Sequence, residues 1–114
     1  MGIRLTSSIS ISELSALTEE RFGDLVKAVI DIKRSIMAVG GEMHSDEETL
    51  LLTQGSQQED LWGINIYPAQ PDDKLIECDS MINIRPTQGN RSRDIENPEI
   101  KATVERLAQS LIKR

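Results

Sequence analysis

The spacing of hydrophobic residues changes twice along the chain, from a helical period near each end to a period of two in the middle. Apolar residues at steps of three or four form one face of a helix, whereas strict alternation is typical of a strand with one buried face. Short turns between such strands favour antiparallel pairing. The pattern therefore predicts an α+β fold, in which helices cover an antiparallel sheet.

Two helices have recognisable start signals. Ser10 and Glu13 form a capping-box pattern, which predicts a short helix that ends near Glu20. Asn97 and Pro98 are typical residues for the cap and first position of a helix. The residues that follow them form one apolar stripe: Ile100, Val104, Leu107, Ala108 and Leu111. We expect these N-terminal and C-terminal helices to pack on the same face of the sheet.

The segment from residue 22 to residue 36 has helical spacing as well. Its apolar residues recur at steps of three or four: Phe22, Leu25, Val29, Ile32 and Ile36. Val26 and Ile30 widen this stripe, so the spacing predicts a second helix with a broad buried face.

Alternation between residues 37 and 85 predicts a four-stranded antiparallel meander, with turns near residues 44–47, 54–58 and 68–73. The residues expected to face the helices are Met37, Val39, Leu50, Leu52, Trp62, Ile64, Ile66, Ile76, Cys78, Ile82 and Ile84, with Met43 as a further candidate on the first strand. Asp46 to Leu52 also fits a helix, because Ser45 and Glu48 form another capping-box pattern. Both interpretations stay open.

With 114 residues, the chain is predicted to be a single domain, residues 1–114.

Charge and cysteine content restrict the partners and the compartment. The net charge of -6 disfavours nucleic acid and anionic membranes as partners of this acidic protein. Residues 42–79 carry ten acids and one base, whereas residues 80–114 are basic overall. The two segments could pair within one fold, across a homodimer or around a cation, and solvated surface charge is the alternative. Cys78 is the only cysteine, and no apolar run reaches the length of a membrane span or signal peptide. We expect a cytoplasmic protein.

The predicted sheet exposes polar side chains on its other face. Six of them are candidate ligand-binding residues: Glu42, His44, Asn65, Glu77, Asp79 and Arg85. In the predicted register Asn65 lies opposite Glu77, and Gly63 lies opposite Asp79 with space beside it. A carboxylate next to the only imidazole is typical of acid–base chemistry or of a Mg²⁺ or Mn²⁺ site, and a solvated turn histidine is the alternative.

The loop from Arg85 to Arg93 concentrates arginines, amides and a glycine between a predicted strand and a helix. Arginine forks bind phosphate and carboxylate, so Arg85, Asn90 and Arg91 are candidates for anion binding. The alternative is a structural loop whose arginines pair with the protein's own acids.

Three blocks of the sequence resemble a known family. They are Ala38 to His44, Gln58 to Asn65, and Ile82 to Ser92, with the sequences AVGGEMH, QEDLWGIN and INIRPTQGNRS. In this order they are similar to a small prokaryotic family catalogued as a domain of unknown function. The resemblance implies a free-standing bacterial or archaeal cytosolic protein. It implies no activity, substrate, cofactor or catalytic residue.

Two functional hypotheses follow. Gly-x-Ser-x-Gly, a P-loop and a dinucleotide fingerprint are all missing from the sequence, which argues against the enzyme classes that use them. The first hypothesis is a non-enzymatic binding or assembly module, with a second copy of the chain as the expected partner. The alternative is a metal-assisted or acid–base enzyme that acts on a small anionic substrate, either a phosphate or a carboxylate.

Overall fold

The structure, a computed structural model, describes residues 2–114. Its helices are α1 (Ile11–Glu20), α2 (His44–Thr53), α3 (Asp72–Leu75) and α4 (Pro98–Leu111). Its strands are β1 (Arg4–Thr6), β2 (Ile9–Ser10), β3 (Val26–Asp31), β4 (Ile36–Val39), β5 (Leu61–Ile66), β6 (Ile76–Glu77) and β7 (Ile112–Lys113). Short 3₁₀ turns span Gln58–Asp60, Met81–Asn83 and Pro86–Gln88. The predicted α+β class is confirmed.

The main sheet is antiparallel throughout and has the strand order β1-β4-β3-β5-β6. It therefore has five strands, where the sequence predicted a meander of four. A separate parallel pair of β2 and β7 joins the beginning of α1 to the end of α4. This pairing holds the two ends of the chain on the same side of the molecule.

The terminal helices form as the start signals predict. Ser10 Oγ accepts from the backbone N–H of Glu13 at 3.1 Å, and Glu13 accepts in return from the backbone N–H of Ser10 at 3.0 Å. Asn97 caps α4 by accepting from two backbone N–H groups of its first turn. Both helices bury side chains against one face of the sheet: Leu14, Val104, Ala108 and Leu111 from the helices, and Val26, Ala28, Ile30, Met37, Val39, Trp62, Ile64 and Ile66 from the sheet.

The helix predicted over residues 22–36 is wrong, because this segment forms the hairpin of β3 and β4. Both faces of β3 are buried, so apolar residues occupy successive positions and satisfy a helical spacing as well as a strand. The turn is fixed by Asp31, whose carboxylate accepts from the backbone N–H groups of Lys33 and Arg34, both at 2.9 Å. Ser35 then adopts a left-handed conformation with φ 57°.

Between β4 and β5 the chain forms α2, so the helical interpretation of Asp46 to Leu52 is confirmed and the predicted strand is wrong. The helix begins at His44 after Met43, and no side chain caps its start. α2 packs on the second face of the sheet, where Leu51 joins the cluster formed by Val29, Ala38 and Leu61. The sheet is therefore covered on both faces, whereas the sequence predicted cover on one.

The predicted fourth strand is much shorter than expected. Of the residues in that predicted strand, only those of β6 pair with β5. They do so in the predicted register, with Asn65 opposite Glu77. Beyond β6 the side chain of Asn83 replaces the strand: its amide accepts from the N–H of Gly63 at 2.8 Å and donates to the carbonyl of Gly63 at 3.1 Å. The expected space beside Gly63 is filled by Ser80, whose Cβ would lie 2.5 Å from a Cβ at that glycine.

Within residues 2–114, no helix has the length and hydrophobicity that crossing a membrane requires.

Candidate ligand-binding groove

A groove of about 380 Å³ lies on the second face of the sheet, beside the start of α2. Its floor includes Lys27 of β3 and Asn65 of β5, which are direct cross-strand partners. The remaining lining residues are Phe22, Leu25, Met43, His44, Ser45, Asp79, Ser80, Met81, Ile82 and Arg93. We refer to this site as the groove.

Asn65 has one half of its amide satisfied and the other half unpaired. Its Nδ2 donates to Glu77 Oε1 at 2.9 Å, and the same carboxylate oxygen accepts from the Tyr67 hydroxyl at 2.8 Å. Asn65 is only 8% exposed, and its Oδ1 is buried without a hydrogen-bond partner. Nδ2 also lies 3.4 Å from the carbonyl oxygen of Asp79, so both acceptors around the amide are on the nitrogen side and the orientation of the amide is fixed.

Lys27 supplies a cation without a carboxylate partner. Its Nζ lies 5.3 Å from the centre of the Phe22 ring, a cation–π contact. None of the ion pairs among the described residues involves Lys27. The ammonium group is therefore available to an anion that enters the groove.

His44 is the first residue of α2, and its ring is buried in the wall of the groove. Nε2 lies 2.8 Å from the carbonyl oxygen of Ile64. Since a carbonyl only accepts, Nε2 carries the proton and Nδ1 keeps a lone pair. Burial lowers the pKa of His44 below its ordinary value of 6.5. His44 is thus neutral at pH 7 and offers an acceptor.

The groove is locally positive in an acidic protein. Arg93 Nε lies 2.7 Å from Asp79 Oδ1, so these two charges compensate each other. With His44 neutral, two cations and one carboxylate in the lining leave a net charge of +1, against -6 for the whole chain. The uncapped first turn of α2 adds backbone N–H groups, whose partial positive charge has the same sign.

Hydrophobic side chains surround the groove. Phe22, Met43 and Met81 are 40%, 55% and 66% exposed, respectively. Large apolar side chains that share one concave site and stay accessible are typical of ligand-binding surfaces. The groove therefore combines charged and polar groups on its inner surface with an apolar rim.

A comparison with known families gives a match over residues 3–111, to the family described as "Protein of unknown function (DUF5674)". The chain belongs to this family. Membership confirms the resemblance to a family of unknown function that the three sequence blocks indicated. The DUF5674 match includes every residue that lines the groove. Comparisons with curated proteins and with solved structures found no match.

The structure brings together three of the candidate residues that the sequence singled out. His44, Asn65 and Asp79 line the groove, and Glu77 lies directly behind Asn65 as its hydrogen-bond partner. Glu42 is exposed and lies 3.8 Å from Arg21, outside the lining. Within residues 2–114, no group of three His, Cys, Asp or Glu side chains is positioned to hold a metal ion.

Arg85 and Asn90 stabilise the loop of this DUF5674 chain. The guanidinium of Arg85 donates to the carbonyls of Gln58 and Leu61 and stacks on Trp62, with 4.2 Å between Cζ and the ring centre. Burial lowers the pKa of Arg85, although a guanidinium stays charged at neutral pH. The sequence analysis offered a structural loop whose arginines pair with the protein's own acids. Arg85 does have a structural role, but its acceptors are carbonyl oxygens rather than carboxylates.

Asn90 is bound on both sides of its amide. The amide nitrogen donates to the carbonyls of Asn83, Ser92 and Asp94, and the amide oxygen accepts from the N–H of Glu96. Arg91 is exposed, and its backbone N–H donates to the Glu96 carboxylate. None of Arg85, Asn90 and Arg91 lines the groove.

Sequence reasoning missed Lys27 and placed Arg93 only within the anion-binding loop. Lys27 interrupts a run of apolar and mostly β-branched residues from Leu25 to Ile30. Such a run is typical of a buried strand, in which a single lysine marks the one position that reaches solvent. That signal was available, but the helical spacing of the same residues obscured it.

Proposed function

We propose that this protein is a non-enzymatic, cytoplasmic binding module that takes up a small organic anion in the groove. The main support is the ammonium group of Lys27, which has no carboxylate partner in a concave site. Asn65, its cross-strand partner, also lines this site and has an unpaired Oδ1. A buried polar atom without a partner costs roughly 1–3 kcal/mol. A ligand that satisfies these groups recovers that free energy on binding.

The volume and charge of the groove support the same function. Small-molecule sites span about 300–1,000 Å³, and a groove of about 380 Å³ lies near the lower limit. A positive site on a negatively charged protein attracts an anion locally, while the rest of the surface repels large polyanions. The ligand class is therefore a small anion rather than a nucleic acid.

The experiment is an NMR titration of ¹⁵N-labelled protein with benzoate, phenyl phosphate and acetate. We expect shifts of the backbone amides of Lys27, His44, Ser45 and Asn65, because these residues line the groove. Lys27→Gln should remove the shifts. The matched control is Lys33→Gln, which deletes an exposed lysine from the turn after β3. Equal weakening by both variants, or no shift in the groove with any anion, would contradict the proposal.

An assembly role through the same surface is a second candidate. Phe22, Met43 and Met81 are exposed together at the rim, so a second copy of the chain could cover them. Light scattering over a range of concentrations and salt separates the two roles. A dimer that an organic anion dissociates supports assembly at the groove, whereas a monomer throughout leaves the ligand-binding role.

A catalytic use of the groove has one observation in its favour, the free Nδ1 of the neutral His44. A neutral imidazole next to a bound anion has the form of a general base. Turnover of an anionic substrate that His44→Gln abolishes, with substrate binding retained, would establish this role in place of simple binding.

A further inference from the structure

We infer that the groove selects a monocarboxylate that carries a hydroxyl or N–H donor near its acid group and one apolar substituent. This inference rests on the proposed function, because it specifies the ligand of the same groove. The charge balance, the unpaired acceptors and the apolar rim each determine one part of the ligand.

The charge balance favours a single negative charge. Lys27, Arg93 and Asp79 give the lining a net charge of +1 when His44 is neutral. Glu77 lies behind Asn65 and adds a further carboxylate close to the site. A carboxylate ligand balances the charge of the lining residues, and one excess negative charge remains when Glu77 is counted. A dianionic phosphate leaves two excess negative charges beside the carboxylates of Asp79 and Glu77. Like charges at such distances are repulsive even in a partly solvated site.

The unpaired acceptors require a donor on the ligand. Asn65 Oδ1 has no partner, and its orientation is fixed because Nδ2 donates to Glu77. His44 Nδ1 holds a lone pair, because Nε2 donates to the carbonyl of Ile64. A purely anionic group would direct oxygen lone pairs at these acceptors. A hydroxyl or N–H near the acid group satisfies an acceptor while the carboxylate binds Lys27 and the first turn of α2.

The rim requires an apolar substituent of limited size. Phe22, Met43 and Met81 surround a groove of about 380 Å³, which accommodates a ring but not a long chain. Methionine side chains are flexible and polarizable, and they pack well on aromatic rings. An aromatic or branched aliphatic group therefore fits between them while the polar end lies on the sheet.

The test compares four probes by calorimetry at about pH 8, where phenyl phosphate is a dianion. 3-Phenyllactate has the carboxylate, the hydroxyl and the ring. 3-Phenylpropionate lacks the hydroxyl, lactate lacks the ring, and phenyl phosphate carries a ring and a dianion without a hydroxyl. We expect 3-phenyllactate to bind roughly tenfold or more tightly than 3-phenylpropionate and lactate, the effect of leaving one buried acceptor unpaired or one apolar group out. We expect phenyl phosphate to bind more weakly than 3-phenylpropionate, which also lacks the hydroxyl.

The variant Asn65→Leu removes the unpaired oxygen at nearly constant volume. We expect it to reduce the preference for 3-phenyllactate over 3-phenylpropionate to nearly onefold. The matched control, Gln57→Leu, makes the same kind of change at an exposed position and should keep the full preference. The comparison of probes on the unaltered protein needs no variant, so it decides the question even if Asn65→Leu does not fold.

The outcomes separate this inference from the proposed function. If 3-phenyllactate and 3-phenylpropionate shift the groove amides with equal affinity, the groove binds anions but the donor requirement is wrong. Tighter binding of phenyl phosphate than of 3-phenylpropionate would overturn the charge argument and leave the proposed anion binding intact. If no probe binds, both the inference and the proposed function fail.

Discussion

Glu47 gives the protein an unusual dependence of stability on pH. Its side chain is fully buried in α2, where Oε2 accepts from the N–H of Gly41 at 2.8 Å and Oε1 has no partner. Burial raises the pKa of Glu47 to about 9, against an ordinary value of 4.5. The folded protein therefore keeps this acid protonated at pH 7.

The unfolded chain releases this proton near pH 4.5, whereas the folded protein retains it up to about pH 9. The free energy of unfolding therefore falls as pH rises through this window, by about 1.4 kcal/mol per pH unit. Below the window both states are protonated and above it both are ionised, so the contribution of Glu47 is constant there. Between about pH 5.5 and about pH 7.5, Glu47 lowers stability by about 3 kcal/mol.

Glu47→Gln replaces the protonated acid with a neutral group of the same shape that still accepts from Gly41. We expect the variant to lose the pH dependence that Glu47 causes, so that its advantage over the parent protein grows by about 3 kcal/mol over that interval. Urea unfolding at several pH values, followed by the fluorescence of the single buried Trp62, measures this difference. The control Glu48→Gln, one residue further along α2, should keep the slope of the parent protein. Parallel curves for Glu47→Gln and the parent protein would refute the burial of a neutral acid.

Two further predictions concern the packing that supports the groove. Gly63→Ala should lower the free energy of unfolding by about 1–3 kcal/mol. The new Cβ would lie 2.5 Å from the Cβ of Ser80, which cannot move without its backbone. Unchanged stability in thermal or urea unfolding would contradict this contact. Arg85→Lys should cost about 2 kcal/mol or more, because an ammonium cannot reproduce the planar fork that donates to Gln58 and Leu61 while stacking on Trp62. A change in Trp62 fluorescence should accompany that loss, and an unaltered emission spectrum would indicate that the stacking is not maintained in solution.

The elements that sequence predicted well are those whose signals are local. The capping box of Ser10 and Glu13 and the Asn97–Pro98 start require contacts only within one helical turn. β5 was also predicted with the correct inward face, because Trp62, Ile64 and Ile66 alternate with smaller or polar residues. In each case the residues that determine the structure are close in sequence.

The elements that sequence predicted wrongly depend on distant packing. β3 is apolar on both faces only because α1 and α4 cover one side and α2 covers the other. Without knowledge of that second layer, its residues fit a broad helical stripe equally well. The short β6 has a similar cause, because Asn83 replaces strand pairing at Gly63 through a side chain that is 20 residues away. No local sequence rule predicts that a side chain will take the place of strand pairing at Gly63.

The helix wrongly predicted over residues 22–36 and the omission of Lys27 from the predicted site have the same origin. The groove unites residues from five separate parts of the chain: Lys27, His44, Asn65, Asp79 and Arg93. Lys27 becomes the neighbour of Asn65 only if β3 is a strand, and His44 reaches the carbonyl of Ile64 only if α2 is a helix that crosses this face of the sheet. A helix over residues 22–36 removes Lys27 from the face and leaves a cluster dominated by acids, to which a metal is the natural complement. With β3 as a strand, the same surface contains an unpaired cation, and an organic anion becomes the complementary ligand.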